Sequence, residues 1–89
     1  TASRQVTRAG RRIDLTAREY ALLEILATHR DTVLSRDQIG EKLFSYDYMG
    51  ASNMVDVYIR YLRRKIDDGY DVKLIKTVRG VGYVLREDA

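Results

Sequence analysis

Asn53, Val57, Arg60, Tyr61 and Arg64 fall on one side of a helix when about 100° separates successive residues, and Tyr58, Arg63 and Lys65 flank them. Residues of these types suit one task. Guanidinium forks pair with guanine edges, an amide pairs with adenine, apolar groups meet thymine methyls, and further cations neutralise phosphates, all from a helix that fits the major groove. Val57 and Tyr61, read as exposed, add to this, because apolar groups on a charged face favour a covering partner. A second candidate is Arg79, set between Val78 and the glycines Gly80 and Gly82. At the tip of a turn its side chain projects furthest, and a tip arginine can enter a narrow minor groove where negative potential is concentrated. Each reading has a plain alternative. Arginine and lysine also solvate ordinary helices, and the glycines make a turn whether or not Arg79 has a ligand.

Catalytic chemistry is not assembled. The single histidine, His29, closes a helix, where a cation suits the dipole. With no cysteine and one histidine the usual zinc sets cannot form. Seven tyrosines would serve a phosphotyrosine-forming recombinase only inside an arginine and histidine constellation that 89 residues cannot supply. The chain is therefore expected to be no enzyme and to carry neither metal nor cofactor.

The elements that must position these residues are legible in order. Gln5 to Arg8 and Arg12 to Leu15 read as a hairpin around Ala9-Gly10. Thr16 and Glu19 form a capping box, with Leu15 and Tyr20 at the staple positions, and open a helix from Ala17 to about His29. Arg18, Glu19 and Glu24 are its polar positions. Ser35 and Gln38 repeat the device before a second helix through Ile39, Leu43 and Phe44. Residues 45–52, SYDYMGAS, lack a period and read as a loop. A third helix runs from about Asn53 to Asp67, its stripe of Val55, Ile59, Leu62 and Ile66 facing a core and Gly69 just past its end. Lys73 to Val78 and Tyr83 to Arg86 form a last hairpin, whose Tyr83 and Leu85 read as core and sheet. Three helices closed by a two-stranded ribbon make a winged helix-turn-helix of the α+β class, one domain over residues 1–89.

The charge is arranged in blocks. Residues 1–13 carry Arg4, Arg8, Arg11 and Arg12 and no acid; residues 14–56 carry four bases against eight acids; residues 57–80 carry seven bases against three. The whole chain is +3. Two basic blocks around an acidic one fit a domain with one face turned to a polyanion, although a 33% charged surface also serves solvation alone. No run of about 18 apolar residues or secretory signal is present, and cytoplasmic residence is the expectation.

Four segments, IDLTAREYALLEIL, VLSRDQIGEKLF, SNMVDVYIRYLRRKID and LIKTVRGVGYVL, together resemble the C-terminal effector domain of OmpR/PhoB-type response regulators. The likeness covers about Val6 to Leu85. The pattern VDVxIxxLRxKI followed by TVRGVGY is specific to that family, and KIDDGYDVKLIKTVRGVGYVL looks most like its heavy-metal-responsive branch. The resemblance implies a DNA-binding transcription regulator of a two-component phosphorelay. Its receiver domain, absent from this chain, would be phosphorylated by a sensor kinase. It implies a monomer as an isolated domain and dimers on direct-repeat double-stranded DNA. The third helix would lie in the major groove, with Asn53, Met54, Val57, Tyr58, Arg60, Tyr61, Arg63 and Arg64 facing DNA. Thr77 and Arg79 would do so from the wing, and the loop with Tyr46, Asp47, Tyr48 and Met49 would face RNA polymerase. Asn53 and Tyr61 stand where relatives often have arginine, so the phosphate grip and one base contact are expected to differ. Relatives also begin with a four-stranded sheet, and the resemblance implies that the first hairpin here would be the last part of it. A winged helix that chiefly binds protein is the alternative.

Overall fold

The computed structural model describes residues 5–8, 10–44, 52–70 and 73–86. Strands β1 (Gln5–Arg8) and β2 (Arg11–Asp14) pair antiparallel, one residue earlier in β2 than the sequence pattern indicates. Helix α1 (Ala17–Thr28) begins at the expected capping box: Thr16 Oγ1 accepts from the Glu19 N–H at 3.2 Å and Glu19 Oε1 accepts from the Thr16 N–H at 2.9 Å. His29 caps its C-terminus and places Nδ1 3.0 Å from the Ile25 carbonyl oxygen.

The second box is also formed, by Ser35 and Gln38, ahead of α2 (Arg36–Phe44). Helix α3 (Ser52–Ile66) follows, and then β4 (Ile75–Val78) and β5 (Gly82–Leu85). The arrangement is the expected winged helix-turn-helix with one addition. Leu34 and Ser35 form a short strand, β3, that pairs with β5, so the closing sheet has three strands in the order β3-β5-β4 rather than two. Two residues are too few to show a periodicity, and the pairing is made by backbone groups that sequence pattern does not reveal.

The core gathers Leu22 and Leu26 from α1, Ile39 and Leu43 from α2, Ile75 from β4 and Leu85 from β5. Against them α3 presents Val55, Ile59, Leu62 and Ile66, each 0–3% exposed, which fixes the helix register. Ile13 and Leu15 add the first hairpin to this core. Among the described residues no helix is long and apolar enough to cross a membrane.

Candidate nucleic-acid interface

With its inner stripe buried, α3 turns Asn53, Arg60, Tyr61 and Arg64 outward, all exposed. Met54 joins them, whereas Val57 is half-buried rather than exposed as its position suggested. Among the described residues the exposed large hydrophobic side chains are Met54, Tyr61 and Val81. The first two lie on α3 and the third at the tip of the β4–β5 turn. Apolar area left open on an otherwise charged surface is thus concentrated on two neighbouring elements.

Tyr58 is half-buried in an aromatic row, 5.9 Å from Phe44 and 5.8 Å from Tyr61 between ring centroids, the latter pair edge to face. Arg18 covers the far end at 4.8 Å from the Phe44 ring and donates to the Leu43 carbonyl oxygen at 2.9 Å. Edge-to-face contact is a favoured geometry for such rings, so the row gives Tyr61 a packing partner on its own helix.

The wing tip is a four-residue turn closed by the Val81 N–H on the Val78 carbonyl oxygen at 2.9 Å. Gly80, at φ +76°, occupies the third position, where a positive φ disfavours any side chain. Arg79 precedes it, exposed. Gly82 is needed for another reason: a Cβ there would lie 1.9 Å from the Leu34 carbonyl oxygen, because β3 and β5 approach too closely for one.

One arginine of the expected set behaves differently from the others. Arg60 and Arg64 are exposed. Arg63 is half-buried and folded onto the wing, where Nε and Nη2 donate to the Ile75 carbonyl oxygen at 3.3 and 3.1 Å and Nη2 also reaches Thr77 Oγ1. Its guanidinium lies 5.5 Å from the Tyr83 ring centroid. Thr77, the other expected wing residue, is exposed and accepts the Arg63 bond on its Oγ1. Lys65 points back to α1 and bonds Glu19 at 2.7 Å. Glu19, read as a polar position, is only 5% exposed. Burial pushes its carboxyl up, but the Lys65 hydrogen bond, the Thr16 backbone and the Lys65 charge outweigh that and leave it below the usual glutamate value.

Asp56, Arg36 and Asp67 hold this surface together, and sequence reasoning gave them no role. Asp56 accepts from Arg36 Nη1 at 3.0 Å and from the Tyr83 hydroxyl, joining α2, α3 and β5. Buried Asp67 accepts the Leu74 and Ile75 N–H groups at 3.0 and 3.1 Å and so fixes the path from α3 into β4. An acid beside the apolar stripe, as Asp56 is beside Val55, was the available signal. Tyr83 belongs to the sheet as expected, with its phenol pushed up to about 12 by burial, the Asp56 bond and the Asp56 charge, against Arg63 and Arg36.

On the opposite flank, a groove of about 360 Å³ separates β2 from the end of α3, and Arg11, Arg12, Arg64 and Lys65 line it beside Asp14 and Asp68. The two basic blocks of the sequence meet there. Among the described residues no group of three or more histidine, cysteine or acidic side chains could hold a metal ion. Tyr46, Asp47, Tyr48 and Met49 lie outside the described residues.

Residues 10–85 match the family described as transcriptional regulatory protein, C terminal. The chain is 49% identical over 85 residues to response regulator MprA of Mycobacterium ulcerans, covering 96% of this chain and 37% of that protein. It is 53% identical over 74 residues to transcriptional regulatory protein PrrA of Mycobacterium bovis, covering 83% of this chain and 32% of that protein. The chain thus spans about a third of the length of the curated relatives it matches. The DNA-binding domain of RstA from Klebsiella pneumoniae, solved in complex with the RstA box, superposes with a TM-score of 0.80 at 34% identity, covering 94% of this chain and 84% of that one.

Proposed function

The chain belongs to the OmpR/PhoB-type C-terminal domains of transcriptional regulatory proteins, and from that premise we propose that it binds double-stranded DNA through the outer face of α3 and the wing tip. The observation that carries the reading is the placement of Met54, Tyr61 and Val81, exposed among Arg60, Arg64 and Arg79. Arg60, Tyr61, Arg64 and Asn53 meet base edges and phosphates in the major groove, with Met54 and Val57 against methyl and sugar surface, while Arg79 enters the adjacent minor groove. Tyr58 supports Tyr61 through the aromatic row, and Arg63 and Thr77 act on the wing through each other. The solved complex of RstA with the RstA box supports DNA as the partner.

In the longer regulator this domain is the output half. A sensor kinase acts through the receiver domain, protomers bind direct repeats side by side, and the loop with Tyr46, Asp47, Tyr48 and Met49 meets RNA polymerase. The domain performs no catalysis. Its place of action is the cytoplasm.

The test exploits the register of α3. Leu62 is fully buried and its neighbour Tyr61 is 41% exposed. Leu62→Ala should cost about 2 to 5 kcal/mol of stability through lost burial and a cavity. Tyr61→Ala should leave the melting temperature nearly unchanged and alter affinity or base preference for duplexes selected from random DNA. Tyr61→Ala unfolding the domain while Leu62→Ala spares it would refute the assigned face.

A further inference from the structure

The wing has two attachments of different kinds. Toward β3 it is fixed by main chain, through the pairing of Leu34 with Tyr83 and Ser35 with Gly82. Toward α3 it is held by side chains. Asp56 and Arg63 stand seven residues apart, about two turns, and so share one face of the helix. Asp56 takes the Tyr83 hydroxyl on one oxygen and Arg36 on the other, while Arg63 lies against the Tyr83 ring and forks onto Ile75 and Thr77. Thr77 and Tyr83 face each other in the β4–β5 register, one pair before the turn that carries Arg79. Both ends of that rung are therefore gripped from α3. Beside it lies an open crevice of about 250 Å³, lined by Arg36, Asp56, Thr77, Arg79 and Tyr83. The roots of the two strands are packed on the core through Ile75 and Leu85; at the crevice, nearer the tip, directional, charge-assisted bonds join wing and helices.

We infer that Asp56 and Arg63 are positioning residues that clamp the Thr77–Tyr83 rung and set the angle between α3 and the wing, so that α3 and Arg79 meet the duplex in one fixed register. The inference rests on the DNA-binding function proposed above. Neither residue contacts DNA in this role. Each acts through the rung, and the clamp couples readout in one groove to readout in the next. A bond worth about 1 kcal/mol net is enough to change the population of a tilted wing roughly fivefold.

The chain has no cysteine, so Arg60→Cys with Val81→Cys gives two clean sites for spin labels, one on α3 and one at the wing tip. Tyr83→Phe in that background removes the hydroxyl alone and leaves the ring beside Arg63. The inter-label distance distribution of the free chain should broaden about twofold in Tyr83→Phe, and again in Arg63→Lys, which keeps the charge and loses the fork. On duplexes, Tyr83→Phe with no labels should reduce the discrimination between A·T and G·C pairs flanking the major-groove site by roughly threefold to tenfold, with preferences inside that site held within about twofold. A distribution of unchanged width, or an equal loss of both preferences, overturns the clamp. Should Tyr83→Phe fail to fold, Asp56→Ala, which removes the acceptor of the phenol from the α3 side, is held to the same outcomes. Absence of duplex affinity in the unsubstituted chain would overturn the proposed function and the positioning role with it; affinity with unchanged width would overturn the clamp alone.

Discussion

The two hairpins are built from nearly the same local code and end with different attachments. Each has strands of four residues and a glycine at positive φ in its bend, Gly10 at +79° and Gly80 at +76°. Strands β1 and β2 pair only with each other among the described residues and give the core Ile13, with Leu15 just beyond. Strands β4 and β5 share a sheet with β3, receive Asp67 at their entry, and are tied to α3 through Tyr83, Thr77 and Ile75. A bare two-stranded hairpin is marginal in water. The difference teaches that turn chemistry makes a hairpin, while distant polar contacts decide whether it can present a side chain at a defined place.

The largest break in the comparison should come from the glycines. Gly82→Ala forces a Cβ into the Leu34 backbone and should cost about 3 kcal/mol or more in a denaturant titration. Gly10→Ala meets nothing within 4 Å and should cost only the strain of its backbone, about 1 kcal/mol. Equal losses would mean that the hairpins are held alike.

Next comes the contribution of each hairpin to DNA binding. Arg79→Ala should weaken specific affinity by roughly 1 to 3 kcal/mol and relax the preference for flanking A·T pairs, measured by fluorescence anisotropy. Arg11→Ala, in the first hairpin, should stay within about 0.5 kcal/mol. A larger loss at Arg11 would bring the flanking groove into the interface.

The smallest effects are in pH dependence, and they separate the two flanks. The Glu19 carboxyl, bonded to Lys65 beside the first hairpin, sits below its ordinary value of 4.5. The folded form releases that proton more readily than the unfolded chain. Its stability is thus present above about 4.5 and lost as pH falls through the lower folded value. The Tyr83 phenol, on the wing, moves from 10.0 to about 12. The folded form retains this proton, and the corresponding stability is complete below 10 and lost as pH rises toward 12. Melting temperature against pH should therefore fall at both ends. Glu19→Gln should flatten the acid limb and Tyr83→Phe the alkaline one, and a Tyr83→Phe profile that matches the parent above pH 10 would contradict the second assignment.

Most of the scaffold was legible because its signals are local. Both capping boxes, the α3 stripe and the glycine of the wing turn lie within a few residues of what they control. Strand β3 was not, since Leu34 and Ser35 pair through main chain with β5, about fifty residues away. The candidate face was legible as a set, Asn53, Arg60, Tyr61 and Arg64 together, because helical geometry alone sorts inside from outside. Arg63 was not separable from Arg64 on that basis. What distinguishes them is the Ile75 carbonyl oxygen, twelve residues on, which draws one guanidinium out of the exposed row. Asp56 was hidden for the same reason, its partners lying on α2 and β5.

The central claim, that the outer face of α3 and the wing bind a DNA duplex, is tested most directly by affinity for a selected operator fragment as salt is raised. If Arg60, Arg64 and Arg79 reach phosphates, log affinity should fall linearly with log salt at about −0.9 per contact, a slope near −3 for each bound chain. Arg79→Ala should make the slope shallower by about one contact. Weak affinity with a slope near zero would contradict the account and leave the basic surface to solvation or to a protein partner.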